Sequence, residues 1–262
     1  MRIEHQFSIA GFEVSVSFPD GWDADTLLPS FRPFYGKKEG QEKALLKCTV
    51  CTSVENKAAM PSGELIENTL SDMGYVSLYK EAEGYCVTLS AEQGGTLHVM
   101  QADRRFSTVR VYLHEEDKRA GHALSSLLRI AYSQAVLYWD AVSIHASAVF
   151  CENQAFLFMG KSGTGKSTHS ALWLKYIPGT ELLNDDNPTL RIVNGRVYAY
   201  GTPWSGKTPC YKSLSYPVGG MVRLKQAPVN RFFSPERGGG FHYTFSGMLC
   251  HSSGCGITCL PL

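Results

Sequence analysis

The sequence predicts an α+β fold, with a mixed, largely antiparallel core and a β-rich N-terminal half. Three observations carry that expectation. Candidate strands crowd the first 120 residues; a short apolar run passes through a glycine-rich loop into a helix at 154–176; and Asn194-Gly195 joins two β-prone runs.

The elements follow in order. Phe12, Val14, Val16 and Phe18 alternate with Glu13, Ser15 and Ser17, the pattern of a half-buried strand. Further strands are expected at 45–52, 75–80, 84–90, 96–101 and 106–114, and a short helix at 63–73. Leu124, Leu127, Leu128, Ala131, Tyr132, Ala135, Val136 and Trp139 recur at helical spacing and predict one long helix with a core-facing stripe. A domain boundary is placed just ahead of it, giving a β-rich region at 1–120 and a core at 121–231.

Within that core, 142–151 and 154–159 read as two strands joined by Glu152-Asn153, too close in sequence to be parallel, hence a hairpin. A helix after Gly165 carries Thr168, Leu172 and Tyr176 on one row with Ala171 and Leu174 beside it, and Pro178-Gly179 ends it. Strands at 181–185, 189–193, 196–200 and 219–225 complete the core. Residues 232–262 hold six glycines and three cysteines but two charged residues, with no period, and are expected to form an aberrant, irregular tail. That composition would fit a truncated or frame-shifted end.

Composition bounds the function. At 262 residues, 44% hydrophobic and 19% charged, the chain is globular with ample core. A net charge of +1 gives no electrostatic ground for nucleic acid or an anionic membrane as partner. The start, M-R-I-E-H-Q-F, has no apolar signal core, and the stretch 123–139 is too short and polar to cross a bilayer, so a cytoplasmic location is expected. Eight cysteines in that setting suggest reduced thiols. Cys48 and Cys51 have C-x-x-C spacing but sit in an apolar strand-like run, where i and i+3 face opposite sides. Cys250, Cys255 and Cys259 with His251 lack a second pair at finger-like spacing.

The most informative run is Gly160-Lys161-Ser162-Gly163-Thr164-Gly165-Lys166-Ser167-Thr168, which matches G-x-x-x-x-G-K-[ST], the P-loop or Walker A motif. Its glycines let the backbone turn tightly and aim N–H groups at phosphate oxygens, helped by the positive end of the following helix. Lys166 supplies a charge for the β- and γ-phosphates, and the Ser167 hydroxyl a ligand for Mg²⁺. The expected cofactors are therefore ATP, or another nucleoside triphosphate, and Mg²⁺.

Phosphoryl transfer also needs a group that orients or deprotonates the nucleophile. Asp185 and Asp186 end the next strand, where such carboxylates sit; as neighbours on a strand they diverge, so one suits the Mg²⁺–ATP and the other the nucleophile or a second metal. Two close carboxylates would also push one pKa upward, as suits a general base. His145 lies mid-strand in S-I-H-A-S-A-V, beside the strand leading into the loop.

Together, I-H-A-S-A-V, G-K-S-G-T-G-K-S-T-H-S and L-L-N-D-D-N-P-T-L-R-I resemble the nucleotide core shared by HPr kinase/phosphorylase and ATP-dependent phosphoenolpyruvate carboxykinase. The resemblance is strong over about fifty residues, 144–192, and the order of its motifs makes it specific. It implies a core of that type, with Lys166 and Ser167 serving phosphates and Mg²⁺ and Asp185 assisting the Mg²⁺–ATP. It places Asp186 with His145 where the kinases have a general base and the carboxykinases a transition-metal pair; the two aspartates could exchange roles.

The kinases' E-x-R-G-L-G-I signature is absent, and G-T-P-W-S-G-K at 201–207 stands near its place. The expectation is a P-loop kinase that transfers the γ-phosphoryl group to a hydroxyl, on a serine or a small molecule. The alternatives are a carboxykinase-like activity and a nucleotide-binding regulator without turnover. Homo-oligomerisation is left open.

Overall fold

The computed structural model describes residues 2–36, 44–52, 60–228, 231–233 and 255–260, the last two segments by backbone alone. The fold is mixed α+β, with two sheets and few helices. The chain divides into two compact units, Met1–Asp140 and Ala141–Leu262.

The first unit is built on an eight-stranded sheet: β1 (Arg2–Ile9), β2 (Phe12–Pro19), β3 (Leu46–Cys51), β4 (Glu64–Ser71), β5 (Gly74–Lys80), β6 (Gly84–Ser90), β7 (His98–Asp103) and β8 (Thr108–Tyr112). Spatial order is β1-β2-β3-β8-β7-β6-β5-β4, antiparallel except for the parallel pairs β2–β3 and β3–β8. The apolar row of β2 is buried as the alternation predicts, but Glu13 and Ser15 are buried too, so the strand is not half-exposed. A short helix α1 (Ala24–Leu27) is capped by Asp23, whose carboxylate accepts from the Asp25 N–H at 3.0 Å.

Residues 63–73, expected to be helical, form strand β4 instead. Leu65, Ile66 and Leu70 mimic helical spacing, but tertiary pairing decides: the chain reverses at Asp72-Met73, and Gly74, at φ 113°, opens β5 opposite Ser71 so that β4 pairs with β5. A Cβ at Gly63 would meet the Lys80 carbonyl oxygen at 1.9 Å, so this strand pairing needs glycine there.

Helix α2 (Ala120–Ala135) crosses the same sheet, packing on β3, β6, β7 and β8. Its predicted stripe is fully buried from Leu124 through Val136, which places the helix in the first unit and the division after Asp140, not ahead of the helix. Trp139 departs from the stripe. The helix tightens to a 3₁₀ turn at Val136–Tyr138, which turns the indole outward to 58% exposure. Cys48 and Cys51 are buried thiols within β3, outside any disulfide, and burial pushes the Cys48 thiol up, away from metal-ligating thiolate. No helix among the described residues is long and apolar enough to cross a membrane.

The second unit comprises β9 (Ala141–Ser143), β10 (Ala146–Cys151), β11 (Gln154–Met159), α3 (Lys166–Tyr176), β12 (Glu181–Asn184), β13 (Thr189–Val193), β14 (Arg196–Tyr200), β15 (Ser215–Gln226), β16 (Arg231–Phe233) and β17 (Cys255–Leu260). The sheet runs β12-β10-β11-β15-β14-β13-β9, and its β11–β15 pair is parallel. Hairpins form where the sequence predicts them. Glu152-Asn153 turns β10 into β11 and Asn194-Gly195 turns β13 into β14, all four residues at positive φ. The run 142–151 is not one strand. It breaks at Ile144-His145, because β9 pairs with β13 while β10 pairs with β11 and β12.

Two apolar clusters sandwich this sheet. Ala148, Leu157, Leu183 and Ala199 lie in one; Val149, Phe158, Val222 and Trp173 lie in the other. Helix α3 is seated by Trp173, whose ring meets Phe156 at 4.9 Å and Phe158 at 5.5 Å, together with Lys166, His169 and Ser170. Of the residues suggested by sequence, Thr168, Ala171, Leu174 and Tyr176 face outward and Leu172 is of intermediate exposure. In a short helix one tryptophan outweighs several smaller apolar groups; deleting it would cost about 3–5 kcal/mol. In the segment expected to be an irregular tail, β17 pairs antiparallel with β15; residues 234–254, with Cys250 and His251, and 261–262 lie outside the described residues.

Candidate functional site

Strand pairing gathers the site. β10 runs between β11 and β12 and antiparallel to both, with Ala146 opposite Met159 and Ala148 opposite Asn184. The start of β10 therefore lies beside the ends of its neighbours. His145, the loop that begins at Gly160 and the acidic pair after Asn184 meet at that end, and the Ala146 N–H donates to the Asp186 carbonyl at 3.0 Å.

The loop from Gly160 to Gly165 is tightly folded. Gly160 has φ 155°, and a Cβ there would lie 2.5 Å from the Thr164 hydroxyl and 3.0 Å from the Leu224 carbonyl. Gly165, at φ 98°, turns the chain directly into α3. The Thr164 amide and hydroxyl both donate to the Lys161 carbonyl, at 3.2 and 2.7 Å, and Gln226 Nε2 donates to the Gly163 carbonyl at 3.1 Å. Lys161, Ser162 and Gly163 are exposed on the loop, as are Ser167 and Thr168 on the first turn of α3, where helix N–H groups lack intrahelical partners.

Lys166 turns inward and is 9% exposed. Its ammonium reaches His145 Nε2 at 2.8 Å, the Gly160 carbonyl at 3.1 Å and the Lys161 carbonyl at 3.4 Å, which engages all of its N–H donors. Burial lowers its pKa, against the opposing pull of the Asp186 and Asp185 charges. His145 Nδ1 lies 3.0 Å from Asp186 Oδ1. An ammonium can only donate, so Nε2 accepts, and the neutral ring carries its proton on Nδ1, toward Asp186. Lys166, His145 and Asp186 thus form one hydrogen-bonded line, although His145 sits in the break between β9 and β10 and is half-exposed.

The two aspartates diverge. Asp185 turns into the protein, where Oδ1 accepts from Ser147 at 2.9 Å and Oδ2 from the Thr208 N–H at 3.2 Å. Ser147 lies 2.6 Å from Ser170 of α3; having given its one proton to Asp185, it must accept from Ser170. Both serines are fully buried, so a polar relay anchors α3 to the acidic pair.

Asn184, with no exposed surface, holds the turn that carries both carboxylates. Its Oδ1 accepts from the amides of Asp186 and Asn187, at 3.0 and 2.8 Å. Its Nδ2 donates to the carbonyls of Trp204 and Thr202 and to the Thr202 hydroxyl, at 3.0, 3.3 and 3.3 Å. Sequence reasoning assigned no role to Asn184, Ser147, Ser170 or Thr208. A signal existed for Ser147, since alternation along β10 places it with Val149 on the face toward α3.

Ser167, Asp185 and Asp186 carry oxygen donors, the type that Mg²⁺ prefers, and nothing lies within 4 Å of where a Cβ would stand at Gly163 or Gly165. Among the described residues, no group of three or more His, Cys, Asp or Glu side chains is arranged to hold a metal by itself.

No protein-family model matches the sequence, and no curated protein matches it. Among solved structures, the Hpr(Ser) kinase/phosphatase from Coxiella burnetii is similar over 46% of this chain and 79% of that one, with 14% identity and a TM-score of 0.27, a distant likeness.

Proposed function

We propose that this chain binds a nucleoside triphosphate with Mg²⁺ and transfers the γ-phosphoryl group to a hydroxyl, on a serine or a small molecule. One observation carries the reading: the hydrogen-bonded line from the loop lysine, Lys166, through His145 to Asp186, at the mouth of an open glycine loop. It joins a phosphate-binding cation to a carboxylate able to take a proton.

Ser167 and one aspartate would hold Mg²⁺, which when bound neutralises charge on the triphosphate. Lys166 exchanges a carbonyl partner for phosphate oxygens, which restores a full-strength charge pair to a buried ammonium. Asp186 accepts the proton of the attacking hydroxyl as that oxygen bonds to the γ-phosphorus and the bond to the departing diphosphate breaks. His145 donates its Nδ1 proton to Asp186 and so holds the carboxylate in place.

A nucleotide-binding regulator without turnover is the second reading. It is favoured by Asp185, whose two oxygens already accept from Ser147 and Thr208. Turnover of ATP, assayed with serine-bearing peptides and small polyols in Mg²⁺ and Mn²⁺ separately, separates the two. Phosphorylated acceptor supports the kinase; nucleotide binding without product from any acceptor supports the regulator.

A further inference from the structure

The segment 201–208, G-T-P-W-S-G-K-T, contains a sequence motif that the reading above leaves without a role. It is clamped to the acidic pair. Asn184 holds the Trp204 and Thr202 carbonyls, and the Thr202 hydroxyl donates to the Asn187 carbonyl at 2.8 Å. A Cβ at Gly206 would lie 2.7 Å from the Asp185 carbonyl oxygen and 3.4 Å from the Asp186 Cβ. The Thr208 amide donates to Asp185, and Ser205 closes the turn by donating to the Thr208 carbonyl at 2.6 Å and accepting from the Cys210 amide at 3.2 Å.

Between Gly206 and Thr208 stands Lys207, exposed to solvent. Both its neighbours touch the acidic pair, so its backbone is fixed there, yet among the described residues neither an ion pair nor a hydrogen bond engages its ammonium. The nearby carboxylates are already served by neutral donors: Asp185 by Ser147 and Thr208, Asp186 by His145. A long cationic side chain on a clamped turn, facing solvent beside the acids, is placed to meet an anion that arrives from outside. Lys166 has its donors spread over His145 and two carbonyls, whereas Lys207 is uncommitted.

We propose that Lys207 binds the terminal phosphate of a nucleoside triphosphate, so that the site distinguishes triphosphate from diphosphate. This rests on the nucleotide reading above and extends it. The glycine loop and Lys166 grip the phosphates that both nucleotides share, Lys166 reaching the γ-phosphate as well, and Lys207 adds a second contact that only the triphosphate can make.

The test is calorimetry on the full chain with Mg²⁺ and either ADP or the non-hydrolysable β,γ-imido analogue of ATP. Lys207→Met is expected to weaken the triphosphate analogue about tenfold and leave ADP within about twofold, and Lys207→Arg to recover most of the loss. Unchanged affinity for both nucleotides, or an equal loss for both, would overturn the proposal while the nucleotide reading stands. If the unaltered chain binds neither nucleotide, the nucleotide reading fails and the role of Lys207 falls with it. The exposure of Lys207 makes misfolding a poor explanation for a selective loss, and matched melting curves would check it.

Discussion

The ammonium of Lys166 lies 2.8 Å from Nε2 of His145, which fixes the ring as the neutral tautomer with its proton directed at Asp186. The histidine then works by positioning a carboxylate. His145→Ala should lower turnover about tenfold to a hundredfold in Mg²⁺ and Mn²⁺ alike. Nitrogen chemical shifts of the free protein should show a protonated Nδ1 and a bare Nε2. An Mn²⁺-specific activation that vanishes in the alanine variant would mean instead that the ring ligates a soft metal, the carboxykinase-like case.

The aspartates face different partners and should fail differently. Asp186→Asn should leave ATP affinity nearly intact and cut turnover by about two to four decades, because it removes the proton acceptor. Asp185→Asn should mainly weaken the response to Mg²⁺ titration. Identical kinetic profiles for both variants would show that the pair acts as a unit.

Asn184→Ala should destabilise the second unit by about 2–4 kcal/mol. It strips partners from the amides of Asp186 and Asn187 and from two buried carbonyls, and each orphaned group costs about 1–3 kcal/mol with partial relief from water. Urea unfolding measures this. A loss below about 0.5 kcal/mol would show that the turn holds without the asparagine.

These contrasts mark what the sequence could reveal. Lys166 and the loop were legible because glycine and lysine spacing encodes local geometry, and the hairpins because Glu152-Asn153 and Asn194-Gly195 turn the chain locally. Asn184 was not legible, since its partners at 202 and 204 are brought to it only by the sheet. The same holds for β4, where helical spacing of Leu65, Ile66 and Leu70 lost to pairing with β5, and for His145, where one apparent strand divides between different neighbours. The seating of α3 turned on one residue, Trp173, which no periodicity weights by size.

A pH prediction comes from the first unit. His98 is buried, and its pKa is lowered by desolvation, only partly offset by Asp117 at 3.0 Å. Its Nδ1 accepts from the His114 amide at 3.4 Å, so Nε2 carries the proton toward Asp117. The folded value lies below the ordinary 6.5, so the unfolded chain takes up the proton first. The contribution of His98 is complete above about pH 6.5 and is lost as pH falls through its folded value. The melting temperature should drop over that window, and His98→Gln should flatten the slope. An unchanged slope would assign the acid loss to other groups.

Whether Lys166 grips nucleotide phosphates is measured by titration calorimetry with Mg²⁺–ATP on the unaltered chain and on Lys166→Ala. Saturable binding is expected, weakened in the variant by about 2–4 kcal/mol, the scale for removing one fixed charged donor from a preorganised site. Equal Mg²⁺–ATP affinity in the two proteins, both folded, would contradict it.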